Sequence, residues 1–346
     1  MRGCEFIADP VTIPSCGDNL DRCMESIVNG FTTIFNLCEE KPTAISFAFP
    51  GPASYKEGIV GGYLPNFPAF RDGVALGPFL EEKFGVPVFI NNDGDLFAFG
   101  EATAGIMPEI NSKVAALGGS RVYRNLLGYT FGTGFGIGEV IDGRLNLGNN
   151  SCVETFCIPS SVDNSIMAED YVAIRAIVRE YARLEPAAPQ GLTPKDICDI
   201  ADGKREGNSE AARESFRIFG AAAGDAMATA VTLTDSLLVI GGGLTGAARH
   251  FMPSLLQALR STVKTINGEQ VKRVQMEVFD LDDDEQLGRF ALGDARLLKV
   301  YGSERTVTYD PMKRTGIAIS KLGASKAISI GAYTYALSQL DAAQAE

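Results

Sequence analysis

The chain has 346 residues, of which 45% are hydrophobic, 21% charged and 9% aromatic, and these proportions exclude a disordered chain, a collagen and a coiled coil. Its 31 Lys and Arg against 43 Asp and Glu give a formal net charge of −12, so a phosphate backbone is repelled and nucleic acid is not expected as a partner. The length predicts two domains at about 150 residues each.

In the first half of the chain, strand and helix patterns alternate. Proline removes backbone donors and glycine permits a tight turn, so Pro50-Gly51-Pro52 ends the first of these strands. The predicted elements are a buried strand over 44–49, a helix over 77–84 that Gly85 ends, a strand over 86–90 and a helix over 95–104. This order predicts an α/β layered fold with its functional loops at the carboxyl ends of strands.

A second α/β region follows. Its predicted strands cover 126–131, 139–141, 237–240 and 317–319, with a hairpin signal at Asp142-Gly143. Its predicted helices cover 167–183, 209–232, 252–263 and 324–337. A further helix is predicted to start with Thr193 as N-cap and Pro194 as first residue. Residues 280–284 are acidic, which predicts a solvated loop.

Membrane and metal signals are weak in this sequence. No apolar run reaches the roughly 18 residues of a membrane span, and no signal-peptide pattern follows Met1, so we expect a cytoplasmic protein without membrane contact. The seven cysteines form no C-x-x-C pair, and His250 is the single histidine. A disulfide scaffold, a Cys/His zinc site and a Ser-His-Asp triad are therefore not supported, and we predict no protein metal site.

The first chemical signal is the polar segment Asn91-Asn92-Asp93-Gly94-Asp95 at the mouth of a buried strand. A carboxylate held there by neighbouring amides accepts a proton from a substrate hydroxyl, with Asn92 orienting that substrate. The structural alternative is a helix N-cap, which Asn and Asp commonly supply at a strand-to-helix junction. The segment has more polar residues than one cap requires.

Two glycine-rich turns are the next signals. In Gly132-Thr133-Gly134, and again at Gly136, alternate glycines let backbone amides approach an anion such as a nucleotide phosphate, although the loop is neither a P-loop nor a Rossmann turn. A glycine-rich hairpin with a bulge is the alternative. The Gly241-Gly242-Gly243 turn after a buried strand permits close passage of a nucleotide but also serves plain packing.

Taken together and in order, these segments resemble the ROK family (repressor, open reading frame, kinase) of actin-like sugar kinases. That family has a P-G-P turn, a P-N-L-P segment, an N-D-x-x-x-x-x-x-G-E segment, an L-G-T-G-x-G-x-G loop and a G-G-G turn. Here the matching residues are Pro50-Gly51-Pro52, Pro65-Asn66-Phe67-Pro68, Asn92-Asp93 with Gly100-Glu101, Gly132-Thr133-Gly134 and Gly241-Gly242-Gly243. The resemblance covers roughly residues 45–337 and implies an actin-like (ribonuclease H-like) fold of two domains with a cleft between them.

The resemblance also implies an activity, which is transfer of the ATP γ-phosphoryl group, with Mg²⁺, to a hydroxyl of a hexose or amino sugar. Asp93 matches the family's catalytic base. The positions that match sugar contacts are Gly51, Asn66, Asn92, Glu154 and Glu169, and for Glu169 a solvated helix start is the alternative. The positions that match nucleotide contacts are Gly132, Thr133, Gly134, Gly242 and Gly243. A homodimer and a small-molecule sugar partner are expected in the same way.

Three departures from the family pattern matter. Cys157 stands where the family has a histidine after the sugar-binding glutamate, and the cysteine-rich zinc motif of many members is absent. No D-x-G-G-T motif precedes Ile45, so we expect the first phosphate hairpin to be missing and kinase activity to be weak. By resemblance, residues 5–14 are expected to form the strand after that hairpin and residues 19–35 the following helix.

These departures keep a second function open, a non-catalytic sugar-binding or sensing protein of the same fold. A sugar-independent ATPase is a weaker alternative, and a repressor needs a helix-turn-helix for which we expect no room. The predicted small domain covers residues 1–122 with the terminal helix at 325–346, and the large domain covers 123–324.

Overall fold

The structure is a computed structural model, and it describes residue 1 and residues 4–345. The helices in this part of the chain are α1 (Leu20–Leu37), α2 (Leu76–Phe84), α3 (Asp93–Ala104), α4 (Ile106–Ala116), α5 (Glu169–Val172), α6 (Ile174–Leu184), α7 (Pro194–Ala201), α8 (Ser209–Thr234), α9 (Ala248–Leu259), α10 (Asp284–Leu292) and α11 (Ala324–Ala345). The strands are β1 (Ile45–Ala48), β2 (Ala53–Ser54), β3 (Ile59–Val60), β4 (Val88–Asn91), β5 (Leu126–Phe131), β6 (Phe135–Ile141), β7 (Arg144–Leu145), β8 (Leu237–Gly241), β9 (Thr262–Lys264), β10 (Gln270–Lys272), β11 (Glu277–Asp280), β12 (Arg296–Lys299), β13 (Thr306–Tyr309) and β14 (Arg314–Ile319).

A six-stranded mixed sheet forms the centre of the larger region, in the order β11-β14-β8-β5-β6-β7. The strands β11, β14, β8 and β5 run parallel to one another, whereas β6 and β7 are antiparallel to their neighbours. All five residues of β8 are buried, as expected of a parallel strand that is covered on both faces. The carboxyl ends of these parallel strands therefore meet at one edge of the sheet.

A smaller region surrounds the parallel pair β1 and β4, in which Ile45 lies opposite Val88. Its core collects buried side chains from α1, α2, β4 and the connecting loops, among them Phe49, Phe70, Leu80 and Ile90. Asn19 caps the start of α1 by accepting a hydrogen bond from Arg22 N, and Gly85, in the left-handed conformation, caps the end of α2. Both ends follow the capping signals in the sequence.

Helices α3 and α11 lie between the two sheets and cross each other closely. A Cβ atom on Gly331 would lie 1.9 Å from the carbonyl oxygen of Leu96, and one on Gly100 would lie 2.0 Å from that of Ala327. Side chains of α3 and α11 also share a core with the six-stranded sheet, while Tyr335 of α11 contacts the ring of Phe89 in β4. The two helices thus join the smaller region to the larger one.

Most of the predicted elements are confirmed, and the deviations have local causes. The predicted helix over 167–183 is broken at Ala173, where the backbone is extended and lets Ile174 N donate to Gly132 O at 2.9 Å. The helix predicted over 252–263 starts earlier and ends at Leu259, because Thr262 and Val263 pair in β9. These tertiary contacts override the helical spacing.

The predicted strand over residues 5–14 is wrong, since residues 6–16 form neither strand nor helix. Two prolines, Pro10 and Pro14, remove backbone donors from this segment. The segment packs on α1 instead: Ser26 Oγ donates to Pro14 O at 2.6 Å, and a Cβ atom on Gly30 would lie 2.8 Å from Ile13 Cδ1.

The predicted acidic loop over 280–284 is shorter than expected and is not simply solvated. Asp280 ends β11, and Asp283 caps α10 by accepting a hydrogen bond from Gln286 N at 2.9 Å. Asp282 accepts one from Ile319 N at 2.8 Å. None of the helices in the described part of the chain combines the length and apolar content that a membrane span requires.

The α3–α11 crossing predicts a large effect for a small substitution. Gly331→Ala places a methyl group against the Leu96 carbonyl, so we expect the free energy of unfolding to fall by about 1–3 kcal/mol. Gly288→Ala is the matched control, because Gly288 also lies in a helix and its Cβ would meet nothing within 4 Å; it should be neutral or stabilising. Equal urea midpoints for the two variants would contradict the close crossing.

Candidate active site

The two glycine-rich turns lie side by side at the carboxyl edge of the six-stranded sheet. Strand β5 leads into Gly132 and β8 leads into Gly242, and the strands pair with Thr130 opposite Gly241. Beyond the pairing, Leu244 N donates to Phe131 O at 3.2 Å. This is the edge at which open α/β sheets bind their ligands.

The first turn offers unpaired backbone donors to an anion. Gly132 N donates to Gly134 O at 3.2 Å, but within residues 4–345 no carbonyl accepts from the N–H of Thr133 or Gly134. Thr133 is exposed, and a Cβ atom on Gly132 would meet nothing within 4 Å. The turn is a hairpin, as the structural alternative held, and its open N–H groups suit a phosphate.

The second turn requires glycine for a steric reason. Gly242 has a φ of +96°, and a Cβ atom on it would lie 2.3 Å from Phe131 O. The neighbouring Gly243 is exposed and its Cβ would meet nothing within 4 Å. Gly242 thus lets the second turn approach the end of β5, while Gly243 faces open space.

Asp93 is the first residue of α3, and its side chain is exposed. Asn92 caps the helix, because its Oδ1 accepts a hydrogen bond from Gly94 N at 2.7 Å. The same N–H also lies 2.9 Å from Asp93 Oδ1. The N-cap interpretation is therefore confirmed for Asn92, and it leaves Asp93 held at the helix start with its carboxylate open to a substrate.

Backbone contacts fix Asp93 relative to the first glycine-rich turn. A Cβ atom on Gly94 would lie 2.5 Å from Ile137 O, and one on Gly138 would lie 2.3 Å from Gly94 O. Helix α3 therefore begins directly against β6, the strand that leaves the turn. The absence of side chains at Gly94 and Gly138 thus lets the start of α3, which carries Asp93, lie against the strand that leaves the turn.

Glu154 joins this site electrostatically. Burial, together with the charges of Asp93 and Glu169, raises its pKa to about 7. Within the described residues its carboxyl group forms no hydrogen bond or ion pair with another side chain. The structure therefore brings together Asp93, Glu154 and Glu169, which are far apart in the sequence.

Glu169 lies against the first glycine-rich turn. Its Oε2 accepts a hydrogen bond from Phe135 N at 3.0 Å, and its Oε1 lies 2.9 Å from Arg175 Nη2. Arg175 Nη1 also donates to Thr133 O at 3.3 Å. Glu169 is thus the first residue of α5, as the alternative of a helix start held, but it is partly buried and braces the turn rather than being simply solvated.

Gly51 lies beside a tyrosine that the sequence did not single out. A Cβ atom on Gly51 would lie 2.8 Å from Tyr55 Oη, which donates to Phe49 O at 2.9 Å. Asn92 Nδ2 is 3.5 Å from the same oxygen. Gly51 and Asn92 therefore meet through Tyr55. Asn66 is exposed, and its described contact is with Gly17, whose Cβ would lie 2.2 Å from Asn66 O.

Asp95 is a second residue whose environment the sequence did not indicate. It lies in the polar segment after β4, yet it is only 7% exposed. A run of five polar or small residues gives no sign of which one points into the protein. The N-terminal position in α3 decides this, because residues one and three of a helix project to different sides.

Three potential metal-ligating atoms, from Cys198, Asp202 and His250, lie within 4.8 Å of one another. Arg249 is inserted among them, with Nη2 3.2 Å from Cys198 Sγ and in contact with Asp202 Oδ2. A guanidinium ion in that position opposes a cation, so we assign the group as an ion-pair network that ties α7 to α9. Arg249 Nη1 extends it to Gly246 O at 2.7 Å, next to the second glycine turn.

The fold and this arrangement define an actin-like protein of the ROK class, and the comparisons with known proteins agree. The ROK family model matches residues 18–296, so the chain belongs to the ROK family. A glucokinase from Streptomyces coelicolor is 27% identical over 186 residues, which are 48% of this chain and 54% of that protein. The chain thus spans about half the length of this curated relative.

Solved structures extend the similarity over nearly the whole chain. The crystal structure of glucokinase from Parabacteroides distasonis is 48% identical, with a TM-score of 0.89, and the match covers 98% of this chain and 93% of that one. A ROK family glucokinase from Streptomyces griseus, in complex with glucose and AMPPNP, has a TM-score of 0.57 at 18% identity, with 91% and 88% covered. The predicted actin-like fold is confirmed.

The electrostatic coupling of the site predicts a measurable titration. In ¹³C NMR of Glu-labelled protein, the Glu154 carboxyl should titrate with a pKa of about 7. Asp93→Asn removes one of the charges that oppose ionisation and should lower this pKa. Glu304→Gln, on an exposed hairpin, is the control and should leave it unchanged. An unshifted titration in Asp93→Asn would show that the two carboxyls are not neighbours.

Proposed function

We propose that this protein is an ATP-dependent sugar kinase that phosphorylates a hydroxyl group of a hexose or amino sugar. The observation that carries the proposal is that Asp93, an exposed carboxylate, starts a helix that the Gly94–Gly138 contact fixes against β6, the strand that leaves a turn with open N–H groups. A base and an anion site at one sheet edge are what phosphoryl transfer to a hydroxyl requires. Membership of the ROK family supports the same reaction.

In the proposed reaction the sugar hydroxyl oxygen attacks the γ-phosphorus of ATP. A bond forms between this oxygen and phosphorus, the bond from phosphorus to the bridging oxygen of ADP breaks, and ADP leaves. Asp93 accepts the hydroxyl proton as the bond forms. Its hydrogen bond from Gly94 N at 2.9 Å holds the carboxylate at the start of α3.

The nucleotide fits the two glycine turns. The N–H groups of Thr133 and Gly134, which no described carbonyl engages, would hold phosphate oxygens, and the open space at Gly132 and Gly243 admits the ligand. Bound ATP supplies the phosphoryl group, and Mg²⁺ neutralises its phosphate charge. We assign no protein ligand to the ion, because phosphate oxygens and water usually supply most of its coordination.

The sugar is proposed to lie between Asp93 and Glu154. Carboxylates suit a neutral polyol, because each oxygen accepts a hydrogen bond from a hydroxyl. Asn92, Gly51 and Asn66 stay predicted sugar contacts. Glu169 also stays a predicted contact, and its brace of Phe135 N would link sugar binding to the phosphate turn.

The alternative function is sugar binding or sensing without catalysis. A protein with this function would have the same fold and sugar pocket as the kinase, but it would release no ADP. We further propose that the protein is a cytoplasmic homodimer. Light scattering would measure the mass of the assembly. The kcat of the sugar-dependent ADP release described next would measure how strong the activity is.

The kinase proposal predicts sugar-dependent ADP release. Purified protein with Mg²⁺-ATP and a panel of hexoses and amino sugars should release ADP with at least one of them, and Asp93→Asn should lower kcat by about 10²–10⁴-fold through loss of the base. Asp284→Asn is the matched control, because Asp284 is also the exposed first residue of a helix. It should retain the wild-type rate.

The other outcomes of this assay separate the alternatives. Silence with every sugar, together with saturable sugar binding by calorimetry, would favour the sensing protein. ADP release that does not depend on sugar would favour the ATPase. Full activity of Asp93→Asn would overturn the assignment of the base.

The second glycine turn gives a nucleotide-specific prediction. Gly242→Ala drives a methyl group toward Phe131 O and strains a φ of +96°, so we expect the KM for ATP to rise about tenfold or more while the KM for the sugar stays unchanged. Gly246→Ala, four residues on and with nothing within 4 Å of its Cβ, is the control. A change confined to the sugar KM would place the nucleotide elsewhere.

A further inference from the structure

The carbonyl groups of the first glycine-rich turn are occupied, whereas two of its N–H groups are open. Gly132 O accepts a hydrogen bond from Ile174 N at 2.9 Å, and Gly134 O accepts one from Gly132 N at 3.2 Å. Thr133 O accepts one from Arg175 Nη1 at 3.3 Å. A free carbonyl oxygen beside an anion repels it, whereas an N–H group attracts it. The turn therefore presents its donor side to a ligand.

The second glycine-rich turn has the same arrangement. Gly242 O accepts hydrogen bonds from Thr245 N at 3.2 Å and from Thr245 Oγ1 at 2.9 Å. Gly246, in the short 3₁₀ helix that follows the turn, has its carbonyl oxygen 2.7 Å from Arg249 Nη1. Gly243 is exposed, and in the described part of the chain nothing accepts from its N–H. At both turns an arginine thus occupies a carbonyl.

Arg249 is the second residue of α9, a position where a cation does not favour the helix. The N-terminus of a helix carries partial positive charge, and the first turn of α9 has no acidic residue. The compensating charge comes from Asp202, directly after α7. Its carboxylate accepts a hydrogen bond from Arg249 Nε at 3.0 Å and also contacts Arg249 Nη2. This two-point contact fixes the orientation of the guanidinium plane.

Asp202 is held in turn by two further side chains. Oδ1 lies 2.8 Å from His250 Nε2, and Oδ2 accepts a hydrogen bond from Lys204 Nζ at 2.8 Å. The His250 ring stacks on Phe216 of α8, with 5.5 Å between the ring centroids. The Lys204 side chain is 68% exposed, and its one described hydrogen bond is to Asp202. His250 therefore ties the carboxylate to packed helices, whereas Lys204 adds charge from the solvent side.

We propose that Arg249, held by Asp202, is a positioning residue of the nucleotide site: it occupies the Gly246 carbonyl and so keeps the N–H side of the second turn toward the nucleotide. The role in nucleotide binding rests on the proposed kinase function, whereas the contact that fixes the turn does not. Arg249 and Asp202 act through the backbone of the turn and do not touch ATP. Gly246→Ala keeps the contact, because the acceptor is a backbone carbonyl.

Two substitutions separate positioning from simple attraction between charges. Asp202→Asn releases Arg249, so the KM for ATP should rise about tenfold or more, because a hydrogen bond between charged groups is lost, with the KM for the sugar unchanged. Attraction between charges predicts the opposite sign, since removal of a negative charge favours an anionic ligand. Arg249→Lys keeps the charge but lacks the planar fork that reaches both Asp202 and Gly246 O, so it should also raise the KM for ATP. An unchanged or lower KM for ATP in these variants would overturn the proposal.

Lys204→Met is the matched control, because it removes the other cation that binds Asp202. An exposed ion pair contributes little, so the KM for ATP should stay within about twofold of wild type. A rise as large as that in Asp202→Asn would overturn the proposal, since loss of charge alone would then account for the effect. If Asp202→Asn does not fold, Arg249→Lys carries the same comparison.

Amide hydrogen exchange followed by NMR tests the turn without any turnover. Ala247 N donates to Leu244 O at 2.9 Å and so closes the 3₁₀ helix beside the turn. In Asp202→Asn this amide should exchange about tenfold faster, because local opening becomes easier. The amide of Ile174, which donates to Gly132 O at the first turn, should keep its wild-type rate. An unchanged rate at Ala247 would overturn the proposal. A wild-type protein that releases no ADP with any sugar would refute the kinase and leave this comparison valid.

Discussion

The contact between the first turn of α3 and β6 is the constraint on which the site depends. Gly94 and Gly138 bring two backbones together with no side chain between them, at separations that a single Cβ atom would violate. The same α3 crosses α11 through Gly100 and Gly331. A helix held by backbone contacts near both ends has little freedom to tilt. A side chain can move aside by changing its rotamer, whereas the backbone atoms at these contacts cannot. The carboxylate of Asp93 is therefore held by the fold itself.

The electrostatics of the site divide the proposed ligands into two kinds. Asp93, Asp95, Glu154 and Glu169 make the sugar side rich in carboxyl groups, and Arg175 offsets Glu169. A neutral polyol suits such a surface because it brings hydroxyl donors and no charge. The phosphate side uses backbone N–H groups, which attract an anion without placing a cation beside the base. In the proposed complex, this division would let a chain with a net charge of −12 accommodate a nucleotide.

Local sequence pattern is sufficient for those ends of helices that depend on contacts between neighbouring residues. The caps of α1, α2 and α7 follow from Asn19, Gly85 and Thr193, because a cap is a contact within a few residues. The pattern fails where a distant contact competes: Ala173 breaks a helix so that Ile174 N reaches Gly132 O. It fails again over residues 5–14, where packing on α1 replaces the strand pairing expected by resemblance.

The sequence alone determined the order of strands and helices, the two glycine turns and the polar segment around Asp93, since each is written in a short stretch of residues. It could not determine that Glu154 and Glu169 lie near Asp93, that Tyr55 joins Gly51 to Asn92, or that Asp95 rather than Asp93 is buried. Proximity across the chain and burial arise only when the elements pack, and burial beside other carboxyl groups raises the pKa of Glu154.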